Sequence, residues 1–420
     1  MKSFALYVHI PYCLHKCPYC DFNTYAVSAI PEDDYVAALL SEIDYRASLE
    51  EWHGREVSSI YFGGGTPSLF SPGSIRKILA VASRLFPISN RVEITLEANP
   101  GTVDADMLYG YREAGVNRLS LGIQSFQPET LHTLGRIHTP QQSEAAYLTA
   151  RSAGFKNISL DLMYGVPGQT IDLLSSDLWA IAALAPEHVS PYGLTIEKGT
   201  PFYQAYKKKT LLLPDEDLVL EMMQLINQGL TERGYIHYEI SNYARPGREA
   251  RHNMAYWDGI DYLGLGAGAH SFVCSWQGKL KTSGRRWANY ALPGKYIKEA
   301  AAHGKAEAWS DRLNKKDLII EFFFLGLRKI KGVSKSEFEK FFGLKVNEVY
   351  PLLLTVLEEQ ELIKLDGDNI FLSEKGLRLA DSVIENFTEP SLKVVKMPEM
   401  QNNALKGENI PQKQLGVSNG

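Results

Sequence analysis

The chain has 420 residues, enough for a large barrel and one smaller domain. A formal net charge of −5 argues against a nucleic-acid partner held by phosphate contacts, and 45% hydrophobic with 22% charged residues is ordinary for a soluble globular protein. Three of the four cysteines crowd together, which is not a disulfide framework, and no stretch approaches the length of a membrane span.

The first predicted strand, Ala5–Ile10, is too short and too soon interrupted by Pro11 to belong to a signal peptide, so a cytoplasmic location is expected. It runs into Cys13-Leu14-His15-Lys16-Cys17-Pro18-Tyr19-Cys20. Three thiolates at this spacing can hold three irons of a [4Fe–4S] cluster and leave the fourth without a protein ligand. A zinc site would want a second ligand pair, and the remaining cysteine, Cys274, stands alone. An iron without a protein ligand is a binding position for a small chelating molecule, and such a cluster wants a reducing compartment.

Further strands are predicted at Ser58–Gly63, Arg91–Ala98, Arg118–Gln124, Asn157–Tyr164 and His188–Thr195. Helical patterns fall between and after them, at Asp33–Leu49, Ser74–Leu85, Asp104–Ala114, Gln141–Ala153, Leu173–Leu184 and Asp215–Arg233. Six strand–helix units mean an α/β fold with a parallel sheet and outer helices, fewer than the eight of a closed barrel, so a partial (β/α)6 barrel over 1–235 is expected. Ligands in such barrels bind at the carboxyl ends of the strands, which draws attention to Gly63-Gly64-Gly65-Thr66-Pro67, to Glu97, to Gln124 with Arg136 after it, and to Asp161. Glycines after a strand allow close backbone approach to a ligand or make an ordinary tight turn. Glu97 and Asp161 suit hydroxyls or a positive field, and the Arg136 fork suits a carboxylate; each would serve equally in a rim hydrogen bond or salt bridge.

Residues 236–310 show no sustained periodicity and are expected to extend the barrel. They contain His252-Asn253-Met254-Ala255-Tyr256-Trp257 and the glycine-rich Gly264-Leu265-Gly266-Ala267-Gly268-Ala269-His270-Ser271. From 311 to 388 helices Lys315–Arg328, Lys335–Phe342, Val346–Gln360 and Glu374–Phe387 surround a hairpin turning at Asp366–Asn369, a small C-terminal helical, winged-helix-like domain. Its 12 basic and 14 acidic residues give no basic face for DNA. The stretch 389–420 has the composition of a disordered tail.

The CxxxCxxC spacing followed by Asp21-Phe22 resembles the radical S-adenosylmethionine (radical SAM) superfamily. The resemblance implies that the free iron is chelated by S-adenosylmethionine, which one electron from the cluster cleaves to a 5′-deoxyadenosyl radical, so an electron donor is an expected partner. It also implies that Gly64, Gly65 and Thr66 contact the methionine end of that cofactor and that Glu97, Gln124, Arg136 and Asp161 supply further contacts. Tyr7 and Tyr19 would pack against the adenine or shield the irons, or simply pack.

Tyr7-Val8-His9-Ile10-Pro11-Tyr12-Cys13, the Gly-Gly-Gly-Thr-Pro loop, Leu119–Ser125 and Asp161–Thr170 are similar to the oxygen-independent coproporphyrinogen III oxidase group. That group has two branches. The dehydrogenase branch carries a fourth cysteine where this chain has Phe22, and a long extension where twelve residues precede Cys13. The heme-chaperone branch shares CxxxCxxCxF and the His-Asn-x-x-Tyr-Trp motif of residues 252–257. Membership of that branch implies heme as ligand, with His252 as a lone imidazole ligand and Tyr256 and Trp257 as flat cover for the porphyrin. The partner would then be an acceptor hemoprotein, a membrane-associated one included. The alternative is radical oxidative decarboxylation of coproporphyrinogen III. The Gly264–Gly268 region reaches a second S-adenosylmethionine in the dehydrogenase branch, but here His270 replaces an apolar residue, and close backbone packing is the competing reading.

Overall fold

The computed structural model describes residues 3–389, so all but the first residue of the expected tail lies outside the described residues. Strands Phe4–Ile10, Val57–Gly64, Ile88–Ala98, Arg118–Gln124, Ile158–Tyr164 and His188–Gly193 pair in parallel in chain order. Helices Glu32–Ala47, Pro72–Leu85, Ala105–Ala114, Pro140–Ser152 and Ile171–Leu184 alternate with them, and Glu216–Thr231 follows the sixth. Several helices begin where the sequence supplies a cap: the side chains of Ser71, Asp104, Thr139, Thr170 and Asp215 each accept a backbone N–H of the first turn. The main core lies between helices and sheet, where Leu6, Val8, Ile60, Phe62, Leu119, Leu121, Leu160 and Leu162 meet the apolar helix faces.

The parallel part of the sheet is wider than the six expected strands. Tyr262–Leu265 pairs in parallel with the other side of the first strand, with Tyr7 opposite Gly264 and Val8 opposite Leu265. Beyond it run antiparallel strands His270–Gln277, Leu280–Asn289 and Glu307–Leu313, and past the sixth strand lie Asn242–Ala244 and Ile236–Glu239. The result is one twelve-stranded sheet whose end strands do not pair with each other, so the barrel stays open.

The C-terminal part starts at helix Lys315–Gly326, whose cap residue Asn314 forms a capping box with Asp317. Strands Val333–Ser334, Asn369–Leu372 and Ile363–Asp366 make the three-stranded wing. Two expected helices are each broken in two. Pro351 separates Val346–Val349 from Leu353–Glu359, because a proline disfavours helical backbone before it. The last helix divides into Glu374–Arg378 and Ala380–Glu385. The second core joins Phe323, Phe338 and Phe387 to Ala5, Ala255, Tyr262 and Phe272 of the sheet region. Phe323 is fully buried, with its ring 4.5 Å from and nearly parallel to that of Phe387. Phe323→Ala is therefore expected to cost about 3–5 kcal/mol in denaturant unfolding, and a loss below about 1 kcal/mol would contradict this packing. No helix among the described residues is long and apolar enough to cross a membrane.

Candidate functional site

Because side chains alternate along a strand, the residues between the outer apolar positions face the concave side of the sheet. There the strands carry Ser59 and Tyr61, Glu93, Thr95 and Glu97, Arg118 and Ser120, and Asp161, where a barrel interior is ordinarily filled by branched aliphatics. Most of these are buried. A polar lumen therefore runs through the barrel, with the cysteine loop at its carboxyl end.

That loop is closed by a two-residue parallel pairing of Tyr12–Cys13 with Tyr25–Ala26. Cys13, Cys17 and Cys20 are free thiols. The Thr66 hydroxyl donates to Cys13 Sγ at 3.5 Å, Arg136 Nη1 donates to Cys17 Sγ at 3.6 Å, and Cys20 Sγ lies 4.0 Å from Thr24 Oγ1. Burial pushes the Cys13 and Cys20 thiols up. Among the described residues no three His, Cys, Asp or Glu side chains gather tightly enough for a single metal ion. A [4Fe–4S] cluster makes a different demand, since each thiolate meets a different iron. Three free thiols on one loop, with hydroxyl and guanidinium donors to the sulfurs and a cation beside Cys17, fit that group and its negative charge.

The glycine loop lies directly on the cysteine loop. Gly65 N–H donates to the Ile10 carbonyl and Thr66 N–H to the Tyr12 carbonyl, both at 2.8 Å. A Cβ on Gly65 would stand 2.6 Å from the Tyr12 carbonyl oxygen and 2.9 Å from the Pro11 carbonyl carbon, so only glycine permits this approach. Gly64 has φ +114°, and its N–H donates to Glu97 Oε2 at 3.1 Å. Asn99 Nδ2 donates to Thr66 Oγ1 at 3.0 Å, while Arg136 Nη2 donates to Asn99 Oδ1 and, at 2.6 Å, to the Gly122 carbonyl. Asn99, at the carboxyl end of its strand, thus links the glycine loop to Arg136. Gln124 holds φ +67°, an uncommon conformation for a side-chain-bearing residue and a form of strain found at ligand sites.

Glu97 accepts from the Tyr61 hydroxyl at 2.8 Å, and Asp161 accepts from Ser120 at 3.1 Å. Burial raises the Glu97 carboxyl to about 7 and that of Asp161 to about 6, although their hydrogen bonds work in the other direction. Two carboxylates poised this way can bind hydroxyl donors or neutralise a cation. Tyr19 packs toward Phe202 at 6.2 Å on the same rim, and burial drives its hydroxyl far up despite the Arg136 charge beside it. The structure thus brings together the three cysteines, Gly64, Gly65, Thr66, Glu97, Arg136 and Tyr19, with Gln124 and Asp161 on neighbouring strands.

It places the 252–257 motif elsewhere. Residues Arg251–Trp257 form a short helix whose Arg251 and His252 N–H groups donate to Glu93 Oε1 from the middle of its strand, at 2.9 and 3.3 Å. His252 is 2% exposed. Its Nδ1 lies 3.0 Å from Ser59 Oγ and its Nε2 3.2 Å from the Tyr256 hydroxyl, and its ring stacks on Tyr61 at 5.0 Å. Burial, helped by the Arg118 charge, lowers its pKa to about 3, so the imidazole is neutral. Both nitrogens are thus engaged inside the lumen, so in this conformation His252 is occupied by Ser59 and Tyr256. Trp257 is buried with Arg328 over its ring, and Asp258 pairs with Lys329 at 2.5 Å, so the C-terminal part clamps the far end of the helix. Tyr7 also belongs to this inner group, its hydroxyl 2.9 Å from His9 Nδ1 and its ring 6.2 Å from both Tyr61 and His252.

The Gly264–Gly268 stretch is occupied by close packing. Gly266 faces the His9 carbonyl and the Tyr35 hydroxyl with no room for a Cβ, and Asn23 of the cysteine loop donates to the Ala267 carbonyl at 3.0 Å. His270 lies against Trp309 at 5.6 Å.

Comparison with known proteins matches residues 7–177 to the Radical SAM superfamily and residues 313–379 to the HemN C-terminal domain. The heme chaperone HemW of Escherichia coli is 38% identical over 389 residues, covering 92% of this chain and 98% of that protein. The heme chaperone HemW of Bacillus subtilis is 36% identical over 388 residues, covering 92% and 99%. Among solved structures, the Escherichia coli coproporphyrinogen III oxidase HemN, a radical SAM enzyme, superposes with a TM-score of 0.78 at 26% identity, over 92% of this chain and 90% of that one.

Proposed function

This chain belongs to the heme chaperone HemW family of radical SAM proteins, and from that premise we propose that it binds heme and transfers it to an acceptor hemoprotein. The observation that carries the reading is kinship with those chaperones across 92% of the chain. In this reading Cys13, Cys17 and Cys20 would hold a [4Fe–4S] cluster, to which an electron donor of a reducing compartment would supply electrons. When bound, cluster and S-adenosylmethionine would supply one-electron chemistry; Thr66 and Arg136 donate to the thiolates that hold the cluster, and Gly64, Gly65 and Glu97 orient the cofactor. Heme would meet His252, with Tyr256 and Trp257 beside it, only after helix Arg251–Trp257 withdraws from the lumen, since both His252 nitrogens are otherwise engaged.

A second reading has one specific observation in its favour: the HemN oxidase shares this fold over 90% of its length, which keeps coproporphyrinogen decarboxylation in view. One experiment separates them. Wild type and His252→Ala, reconstituted anaerobically, are titrated with heme and assayed beside it for coproporphyrinogen turnover. His252→Ala is expected to weaken heme binding at least about tenfold, with iron and sulfide content unchanged. It should also lower heme-free stability by roughly 1–3 kcal/mol, because Ser59 loses a buried partner. Unchanged heme affinity and spectrum, together with turnover by wild type, would favour the enzyme.

A further inference from the structure

One continuous set of contacts connects the buried histidine to the carboxyl end of the lumen. The Tyr61 hydroxyl donates to Glu97 Oε1 at 2.8 Å, and Gly64 N–H donates to the other oxygen of the same carboxylate at 3.1 Å. The Tyr61 ring lies on the His252 imidazole, 5.0 Å between centroids at 27°. His252 is in turn held by Ser59, two residues earlier on the strand that carries Tyr61. Tyr61 is 7% exposed and Glu97 is enclosed among Tyr61, Asp161, Arg118, Tyr192 and Gly64.

We propose that Tyr61 is a positioning residue that ties the state of helix Arg251–Trp257 to ligand binding at Glu97, so that S-adenosylmethionine at the carboxyl end and heme at His252 oppose one another. The proposal rests on the reading of His252 as a heme contact. While His252 is wedged among Ser59, Tyr61 and Tyr256 it reaches no ligand. Withdrawing the helix removes the His252 ring, the nearer of the two rings against which Tyr61 lies, and leaves only Tyr7 at 6.2 Å. A Tyr61 ring supported on one side only holds its hydroxyl on Glu97 less firmly, which weakens one of the two donors of the carboxylate. In the other direction, a ligand bound to ionised Glu97 fixes the carboxylate, hence Tyr61, hence the closed helix. Linkage makes the effect reciprocal: whatever factor one ligand imposes on the other is returned.

Glu97 gives the arrangement a signature that simple packing lacks. Burial raises its carboxyl to about 7, and the Tyr61 bond is the largest influence pulling it back down, ahead of the Gly64 N–H and the Arg118 charge, while Asp161 pushes it up. A ligand that needs ionised Glu97 is lost as pH falls through that range. Removing the Tyr61 hydroxyl favours the neutral carboxyl and moves that loss to higher pH.

The test is calorimetric titration of S-adenosylmethionine into cluster-loaded, heme-free wild type, Tyr61→Phe, His252→Ala and the double variant across pH. Phenylalanine keeps the ring on His252 and removes only the hydroxyl. Each single variant should weaken binding at least about fivefold and shift the acid limb upward. The double variant should be no weaker than the weaker single, because both act through one bond. Effects that add in the double variant, or an acid limb that stays in place, overturn the proposal. Should His252→Ala fail to fold, the effect of saturating S-adenosylmethionine on heme affinity, expected in wild type and expected to vanish in Tyr61→Phe, decides instead. Heme titration with and without saturating S-adenosylmethionine completes the set: wild type should lose at least about fivefold in heme affinity, and Tyr61→Phe should lose that difference. Heme affinity in His252→Ala equal to wild type would overturn the heme reading itself, while the heme-free cycle still judges the tie between Tyr61 and Glu97.

Discussion

Cys17→Ala, reconstituted anaerobically with iron and sulfide, is expected to lose most of its metal and its ability to bind S-adenosylmethionine. Three thiolates are the minimum that leaves one iron open while anchoring the others, and removing one leaves two ligands on a loop closed by only a two-residue pairing. Arg136 Nη1 would also lose the sulfur it now donates to, leaving a half-buried guanidinium proton without that acceptor. The same loss is expected for Cys13 and Cys20. Cys274→Ala is the control. Its sulfur is buried on the far antiparallel strand His270–Gln277, within 3.6 Å of the Ser275 and Ser283 carbonyls, so iron content should not change. A full complement of iron and sulfide in Cys17→Ala would remove the basis of the assignment.

Gly65→Ala should produce an effect of similar size through geometry alone. The added methyl would meet main-chain atoms of Pro11 and Tyr12 at 2.9 and 2.6 Å, and main chain cannot rotate aside as a side-chain tip can. The glycine loop and the cysteine loop must then separate, breaking the Gly65 and Thr66 hydrogen bonds to Ile10 and Tyr12 and pulling the Thr66 hydroxyl from Cys13. Overpacking of this kind costs about 1–3 kcal/mol or more, and a displacement of about an ångström at a binding loop can cost on the order of 10²-fold in function. We expect S-adenosylmethionine affinity to fall by about that factor and the cluster to be lost more quickly to a chelator. Gly73→Ala, in the first turn of helix Pro72–Leu85 and with no neighbour nearer than 3.7 Å, should be neutral or slightly stabilising. Equal behaviour of the two variants would show that the loops do not need this approach.

Much of the barrel was legible because its signals are local. The βα units have apolar runs bounded by capping residues such as Asp104, Thr139 and Thr170, and the cysteine spacing carries its chemistry in eight residues. Tyr262–Leu265 was not legible as a barrel strand. It is four residues long, interrupted by Gly264, and earns its place only by pairing with a strand at the other end of the chain. The 252–257 motif was legible as a motif but not as a location: nothing in its composition says that Glu93 and Ser59 hold it inside the lumen. One signal went unused. Polar residues at every second position of otherwise buried strands, as in Ser59-Ile60-Tyr61 and Glu93-Ile94-Thr95-Leu96-Glu97, are the period-two mark of a strand with one apolar and one polar face, and they point to Tyr61 as clearly as to Glu97.

The late arrival of Tyr262–Leu265 has a consequence in time. The first strand finds one neighbour in Val57–Gly64 but waits about 250 residues for the other. At about 5–20 residues per second of synthesis, that wait is roughly 13–50 s, during which the strand feeding the cysteine loop keeps an open hydrogen-bonding edge. Asn23, at the end of the loop, likewise waits for the carbonyls of Ala267 and Ala291. The surroundings of the cysteine loop are therefore completed by residues made well after it, and a nascent chain stalled before them would have that loop anchored on one side only, beside an edge that invites pairing with a second unfinished chain.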